Sequence, residues 1–366
     1  MPTLFPEERD QNFRQNHPWT FRISDALRFS NEDEFEQARA FIDEWVAVFP
    51  EGDDKTDLTN RLLDQNAQFI PAFLELCTFA ALTRAGFSVQ PHPAMPDSPR
   101  RPDFLAVRGD LRVYVECTTA NENSQSGATA RRQDELLAQI QRSTVPAYSL
   151  VVVPLAIGNA VPSRRHFLNW VEQRLAEGTL DDEESLGIWS HDGWRIRVSA
   201  VPDEDADGER PIAAVVDADV ESSTPQLVAR IRDKQAAYGE LDAPFLLVLG
   251  TNVIFASDRE LWDALFGSIR WEINMETREV TAVRAEDGLW QGLRGDRVSA
   301  ILFTSGLGPR SLRTTDWTLV HHPQPAHALP GGLLRFATEH MWRDGRLQAE
   351  TPAYDFLGVE RGSPNG

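Results

Sequence analysis

The sequence predicts an α/β fold in which a mixed central β-sheet is flanked by helices. Helical patterns at 224–238 and 258–266 alternate with apolar strand patterns at 244–250 and 298–304, and such alternation is typical of helices layered on a sheet. Two strand patterns earlier in the chain are separated by Gly-Asp, a short turn that favours an antiparallel hairpin. Both parallel and antiparallel pairs are therefore expected in the sheet.

The chain divides by composition into three parts. We expect a helical extension over residues 1–68, an α/β domain over 69–330 with an acidic insertion near 181–221, and a C-terminal tail over 331–366. The clearest helix of the extension spans 31–49, and its acidic first turn suits the positive end of the helix dipole.

The α/β domain opens with a helical pattern over 70–86. Pro71 lies in its first turn and Gly86 at its end, positions that these residue types favour. Nearly every face of this helix is apolar, so it should be buried. Strand patterns follow at 87–92, 102–107, 111–119, 148–156, 194–201, 212–218, 244–250, 298–304 and 316–321. The remaining helical patterns cover 130–143, 163–177, 224–238 and 258–266.

Composition indicates an ordinary globular protein. Hydrophobic residues make up 41% and charged residues 25% of the chain, values typical of soluble domains. We find no apolar run long enough to cross a membrane, and the first residues lack the pattern of a signal peptide. The cysteines, Cys77 and Cys117, lie in apolar runs, so we expect two buried free thiols in a reducing cytoplasm.

The net charge of −20 opposes binding to nucleic acid, because phosphate contacts depend on Lys and Arg. The acidity is concentrated, however: residues 1–97 carry 17 acidic and 8 basic side chains, and residues 181–221 carry 13 and 3. Residues 98–180 carry 8 acidic and 10 basic side chains. A nucleic-acid partner is thus compatible with that segment, while the acidic blocks could dock a basic protein partner.

Three carboxylates stand out by their apolar surroundings. Asp103 enters the first strand of the predicted hairpin, Glu116 lies inside the second, and Glu75 is the charged residue of an otherwise apolar helical stretch. A carboxylate in such a place is costly to bury unless it is paired or bound to a metal. Two carboxylates that converge at one end of a hairpin suit a hard divalent cation such as Mg²⁺. Taken singly, Asp103 could cap a turn and Glu116 could face water.

The order of these residues resembles that of the PD-(D/E)XK superfamily of restriction-endonuclease-like nucleases. There, a helical Glu precedes a hairpin that bears Pro-Asp and then Glu-x-Lys. The matching pieces are Glu75, Pro102-Asp103 and Glu116-Cys117-Thr118. The resemblance implies metal-dependent hydrolysis of phosphodiester bonds, with DNA favoured over RNA as the substrate, and a role in restriction or other defence against foreign DNA.

The same resemblance implies a role for each matching residue. Asp103 and Glu116 would bind Mg²⁺ or Mn²⁺, with the backbone carbonyl of Cys117 as a further ligand. Glu75 would act through a metal-bound water or a second cation. The metal would lower the pKa of the attacking water and stabilise charge that develops on the phosphate.

One position departs from the family's pattern. Thr118 stands where the lysine is expected, and a hydroxyl cannot supply its positive charge. The chain contains two lysines, Lys55 and Lys234, so a lysine in a useful place is informative. Lys234 and Tyr238 are four residues apart and should share a helix face, a spacing that resembles the Gln-x-x-x-Tyr motif of recombination-type exonucleases in the superfamily.

We therefore expect Lys234 and Tyr238 to contribute to catalysis or to contact phosphate; the alternative is an exposed helix lysine. Two function hypotheses remain open at this point. The first is a magnesium-dependent nuclease. The second is a catalytically inactive nuclease fold that serves as a scaffold or binding subunit, which Thr118 and the acidic charge favour. Neither the sequence motif nor the composition decides between them.

Two other groups of residues have ordinary interpretations. His321, His322 and His327 could suggest a metal site, but neighbours on a strand point to opposite faces, so we attribute the grouping to chance. The dispersed tryptophans could stack on bases but are more often part of the core.

Overall fold

The structure is a computed structural model. It describes residues 3–5, 9–10, 23–63, 68–95, 98–119, 132, 135–136, 148–177, 185–202, 214–215, 224–235, 237–251, 258–273, 280–291, 297–343 and 346–358.

In the described residues four helices come first and six strands come last, with strands and single helices between them. The helices are α1 (Ile23–Phe29), α2 (Asp33–Val48), α3 (Asp53–Leu63), α4 (Phe69–Arg84), α5 (Arg164–Ala176), α6 (Thr224–Gln235) and α7 (Asp258–Phe266). The first strands are β1 (Ser88–Pro91), β2 (Phe104–Arg108), β3 (Leu111–Thr119), β4 (Tyr148–Ala156), β5 (Ser185–His191), β6 (Trp194–Pro202) and β7 (Ala214–Val215). The others are β8 (Phe245–Thr251), β9 (Ile269–Ile273), β10 (Val280–Arg284), β11 (Ala300–Ser305), β12 (Trp317–His321), β13 (Thr338–Arg343) and β14 (Arg346–Glu350).

The fold is α/β with a large mixed sheet flanked by helices, as the sequence predicts. Its eight strands run in the order β1-β2-β3-β8-β11-β12-β13-β14. β8 pairs in parallel with both β3 and β11. β2 pairs antiparallel with both β1 and β3. Parallel neighbours need a crossover connection and antiparallel neighbours need only a turn, and the chain supplies both.

The β2–β3 hairpin lies next to the middle of this sheet. Gly109 occupies its turn with a φ of 60°, a left-handed conformation that glycine adopts without steric cost. The register pairs Phe104 with Val115 and Ala106 with Val113, so alternate side chains of both strands point to the same face. The turn thus fixes which residues of the hairpin share a face.

The two faces of the sheet are covered by different helices. α4 packs on β1 and β3, and α2 and α3 pack on α4. On the other face, α6 and α7 bury an apolar cluster that includes Tyr114, Leu247 and Leu249. Residues of β3 with even numbers therefore face α6, and those with odd numbers face α4.

The chain forms two compact units. The first, residues 1–7, 31–122 and 222–366, contains the eight-stranded sheet. The second, residues 8–30 and 123–221, contains a four-stranded sheet in the order β5-β6-β4-β7, whose core includes the fully buried Trp189 and Trp194.

The second unit differs from the expected insertion near 181–221. The segment 148–156 is a strand, as predicted, but it pairs with β6 and β7 rather than with the central sheet. A β-branched apolar run indicates a buried strand without saying which sheet buries it. The predicted helix at 130–143 lies mostly outside the described residues.

The ends of the chain also differ from expectation. Residues 331–366, expected to be a tail, contribute β13 and β14 to the large sheet, and Phe356 is buried. The proposed N-terminal extension does not form one body, because α1 belongs to the second unit while α2 and α3 belong to the first. Among the described residues, no helix has both the length and the apolar content that a membrane crossing requires.

Candidate functional site

Three polar side chains lie in a row across neighbouring strands at one end of the hairpin. The ladder pairs Pro91 with Phe104, and Phe104 with Val115. One position further along each strand come His92, Asp103 and Glu116. The backbone N–H of His92 donates to the carbonyl of Asp103 at 2.9 Å, so the pairing continues to this level.

Glu116 is held by Lys234 and Tyr238, which lie four residues apart in the sequence. Glu116 is 3% exposed. Lys234 Nζ donates to one carboxylate oxygen, and the Tyr238 hydroxyl donates to the other at 2.5 Å. The predicted helix extended to residue 238, whereas α6 ends at Gln235. Tyr238 therefore reaches Glu116 from the segment that follows the helix. Lys234 and Tyr238 do not share a helix face, contrary to the prediction.

Tyr238 stays a hydrogen-bond donor in this environment. Burial and the negative charge of Glu116 raise the pKa of its hydroxyl. A protonated phenol can donate to the carboxylate. Its oxygen also lies 3.4 Å from the carbonyl of Arg101, so Tyr238 connects Glu116 to the loop that precedes Asp103.

Asp103 accepts a hydrogen bond from the backbone N–H of Cys117, with Oδ2 at 2.6 Å. Its side chain is 17% exposed. Burial raises the pKa of this carboxyl well above the ordinary value, and the negative charges of Glu116 and Glu75 raise it further; the Cys117 amide and Lys234 act in the opposite direction. Asp103 therefore lies in a region where negative charge is in excess.

Glu75 has a partner that the sequence did not reveal. Arg61 of α3 donates to both of its carboxylate oxygens, at 2.8 Å and 2.6 Å, and these bonds raise the pKa of the guanidinium. A bidentate pair of this kind is strong and directional. Its contacts are those of an ion pair that fastens α3 to α4, and the expected role of Glu75 toward a metal-bound water stays a prediction.

His92 and Asp54 are two further residues of the site that sequence reasoning missed. His92 Nδ1 lies 3.0 Å from Asp54 Oδ1 of α3, and Nε2 lies 3.8 Å from Asp103 Oδ1. The available signal was weak: a histidine between Pro91 and Pro93, eleven residues before Asp103. Asp54 is distant in sequence, and nothing local marks it.

Cys117 and Thr118 occupy opposite faces of β3. The Cys117 thiol donates to Thr78 Oγ1 of α4 at 3.4 Å, and burial raises its pKa. Cys77 and Cys117 are both free and buried, as expected from the sequence. Thr118 is half-buried on the face of Glu116. The roles proposed for the Cys117 carbonyl and for Thr118 remain predictions.

Positive charge is present beside the carboxylates. Arg100 and Arg101 are exposed in the loop before Asp103. Arg100 is close enough for its charge to oppose the rise in the pKa of Tyr238. An exposed arginine next to a buried acidic site is well suited to contact a phosphate.

Asp103, Glu116 and Glu75 bring three carboxylates near one another, against the cationic Lys234 and Arg61. A divalent cation would offset the remaining negative charge, and carboxylate oxygens are the ligands that Mg²⁺ prefers. In the part of the chain that the structure describes, no group of three or more His, Cys, Asp or Glu side chains has metal-binding geometry. Two carboxylates and a backbone carbonyl, the set implied by the resemblance, require only two such side chains.

The residues that the sequence analysis set aside lie elsewhere. His321 Nε2 bonds to Glu339 at 2.7 Å within the sheet, and the ring of His322 packs edge-on against Trp290. Trp189, Trp194 and Trp290 are buried, in agreement with a core role.

Comparisons with known proteins add no assignment. Searches of protein-family models, of curated proteins and of solved structures find no match to this chain.

Proposed function

We propose that this chain is a metal-dependent nuclease with a restriction-endonuclease-like core that hydrolyses phosphodiester bonds of DNA. The observation that carries the proposal is the contact between Lys234 and Glu116, next to Asp103. The resemblance implies a set of two acids and a lysine. Asp103 and Glu116 are the acids, and Lys234 of α6 supplies the lysine in place of position 118.

Asp103 and Glu116 are the side chains that would hold Mg²⁺ or Mn²⁺, together with the carbonyl of Cys117. When bound, the cation lowers the pKa of a coordinated water and stabilises negative charge on the phosphate. The Cys117 amide fixes Asp103 by Oδ2, so Oδ1 is the oxygen that would meet the cation. Tyr238 fixes the orientation of Glu116.

Lys234 supplies the positive charge that Thr118 cannot. Its side chain is 29% exposed, so it is reachable from solvent while it bonds to Glu116. A fixed cation near the reacting phosphate stabilises the charge that develops in the transition state. Arg100 and Arg101 then contact the phosphates on either side and hold the strand.

A cleavage assay tests the proposal. Purified protein is incubated with Mg²⁺ or Mn²⁺ and with duplex, single-stranded and supercoiled DNA, and with RNA. We expect DNA to be cut, and we expect Asp103→Asn and Glu116→Gln to lose about 100-fold or more of the rate, as typically follows loss of a group that stabilises the transition state. Asp110→Asn, a change at an exposed acid in the hairpin turn, is the matched control and should cut normally. Full cutting by both site variants would remove the proposed site.

A second candidate is an inactive nuclease fold that docks a basic protein partner. Both oxygens of Glu116 are engaged by Lys234 and Tyr238, and the net charge is −20, which favours a basic partner. Calorimetry separates the two: absence of Mg²⁺ and Mn²⁺ binding at millimolar concentration would support the inactive form. A cytoplasmic setting belongs to either proposal, because Cys77 and Cys117 are free thiols, as is usual in a reducing compartment.

A further inference from the structure

We propose that β14, at one edge of the large sheet, is a self-association surface that pairs with β14 of a second copy of this chain. The two strands run antiparallel, so the copies form a two-fold symmetric dimer whose sheets are continuous. This surface is independent of the proposed function, because it lies outside the hairpin site.

β14 is the last strand in the order of the large sheet. Within the part of the chain that the structure describes, it pairs with β13 alone. Residues 347–350 of this strand are all exposed. An edge strand presents backbone N–H and C=O groups along its outer side, which makes it a template for another strand. β14 therefore offers main-chain hydrogen bonds to an incoming strand.

An apolar stripe (Phe266, Trp342 and Leu347) runs across one face of the sheet to this edge. Trp342 of β13 and Leu347 of β14 are directly opposite each other and are 40% and 36% exposed. Trp342 packs edge-on against Phe266 of α7, with ring centroids 5.8 Å apart. Exposed apolar side chains that are contiguous rather than scattered mark an interaction surface.

The sequence of β14, Arg-Leu-Gln-Ala-Glu, is complementary to itself when two copies run antiparallel. With Gln348 on the two-fold axis, Leu347 lies opposite Ala349 of the second copy. Arg346 then lies opposite Glu350 of the second copy. Apolar pairs and opposite charges at directly opposed positions both stabilise a sheet. All five residues are paired in this register, whereas a shift in either direction leaves some without a partner.

The same register keeps the apolar stripe on one face. A shift of one residue would move every side chain of the second strand to the other face of the sheet. With Gln348 on the axis, the apolar stripes of the two copies meet as one surface, from Trp342 of one copy to Trp342 of the other. Association then removes exposed apolar area from water, which drives it.

The charges within a single chain also favour such a partner. β13 and β14 place Arg343 opposite Arg346, and Glu339 opposite Glu350. Like charges at directly opposed positions are destabilising. Arg343 offsets part of this by a diagonal ion pair with Glu350 at 2.8 Å. In the dimer, Arg346 and Glu350 each gain a residue of opposite charge on their outer side.

Sedimentation velocity of the purified full chain, over about 1–300 µM, tests the proposal at the weak affinities expected of a small interface. We expect the mean mass to rise with concentration from that of one chain toward that of two. Leu347→Lys puts a charge on the edge and should keep the mass of one chain throughout. Val48→Lys, at another exposed apolar residue, is the matched control and should associate normally.

Two further sets of variants test the register. Glu350→Arg should weaken association about tenfold, because arginines then face each other, and adding Arg346→Glu should restore it. Gln348→Cys brings two Cα atoms to about 4.5–5.5 Å, a distance that a disulfide spans. Mild oxidation should therefore join two chains, whereas Val48→Cys should stay single. Circular dichroism confirms that each variant is folded.

The mass of one chain at every concentration of the unaltered protein would overturn the inference. Association that persists in Leu347→Lys, together with no cross-link in Gln348→Cys, would place any dimer contact elsewhere and overturn it equally.

Discussion

At the scale of single residues, Glu116 is a carboxylate that a lysine and a tyrosine both contact. It is buried in β3 and bonded to Lys234 and Tyr238. A buried carboxylate that loses its cationic partner is strongly destabilising. Lys234 should therefore matter both for stability and for the reaction, and the two effects can be separated by experiment.

We expect Lys234→Met to lower the cleavage rate about 100-fold or more, because it removes the fixed positive charge. It should also lower the free energy of unfolding by about 2–3 kcal/mol, because Glu116 is left without its charge partner. Cleavage rates measure the first effect, and urea unfolding curves measure the second. Lys55→Met is the matched control, since Lys55 pairs with an exposed acid one turn away, Glu51. Equal cleavage rates and equal stabilities of Lys234→Met and Lys55→Met would contradict the role given to Lys234.

Asp103 gives a prediction about pH. Its pKa in the folded protein is raised above the ordinary value of 3.8, through burial first and then through Glu116 and Glu75. The folded state thus binds the proton more tightly than the unfolded chain, and stability falls as pH rises from 3.8 toward the raised pKa.

In buffer with a chelator, we expect Asp103→Asn to be more stable than the unaltered protein at about pH 8, where Asp103 is charged in the unfolded chain. The difference should vanish at about pH 4, where the carboxyl is largely protonated in the fold. Asparagine keeps an oxygen that can accept from the Cys117 amide. Urea unfolding at several pH values measures this, and a loss of stability at the higher pH would argue against a charge excess at the site.

At the scale of elements, the site depends on how α3 and α4 are held against the hairpin. Arg61 and Glu75 form a bidentate pair between these helices, with side chains that are 19% and 14% exposed. α3 also supplies Asp54, which contacts His92. The orientation of α3 therefore affects both ends of the carboxylate cluster.

We expect Arg61→Met to lower the free energy of unfolding by about 3 kcal/mol, because Glu75 stays buried without a partner. The double variant Arg61→Met with Glu75→Met should be more stable than the single one, since both charges are gone. Asp57→Ala removes only the exposed contact of Arg61 and should cost less than about 1 kcal/mol. Denaturant unfolding of the unaltered protein and the three variants gives the comparison, and a double variant that is less stable than Arg61→Met would contradict the coupling of the pair.

At the scale of the whole molecule, the proposed nuclease function requires a chain with a net charge of −20 to bind a polyanion through a small basic area. Arg100 and Arg101, in the loop before Asp103, are exposed and adjoin Tyr238. Few phosphate contacts mean a weak dependence of affinity on salt, since each contact adds about 0.9 to the slope of log K against log salt.

We expect a slope of about −2 for binding of a labelled duplex in Ca²⁺, measured by fluorescence anisotropy. Arg100→Ala should weaken binding to all sequences and reduce the slope by about 1. Arg335→Ala, at an exposed arginine before β13, four strands from β3 in the sheet order, should leave the slope unchanged. A slope that does not respond to Arg100→Ala would show that the loop does not contact phosphate.

The sequence by itself determined the local elements and the carboxylates of the hairpin. Apolar periodicity and the Gly109 turn specify α4 and the β2–β3 pair, because these signals act between near neighbours. The apolar pattern of residues 148–156 predicts a strand but does not predict which sheet contains it, because pairing partners distant in sequence leave no local mark.

Only the tertiary structure decided which charges meet. Lys234 reaches Glu116 because β8 pairs with β3 and brings α6 over its even-numbered face, and Arg61 meets Glu75 because two helices pack. His92 and Asp54 contact each other only once β1 lies beside α3 in the folded chain. The sequence specifies which charged groups are present. The distances between those groups depend on the packing of segments that are far apart in the chain, and these distances determine whether a site forms.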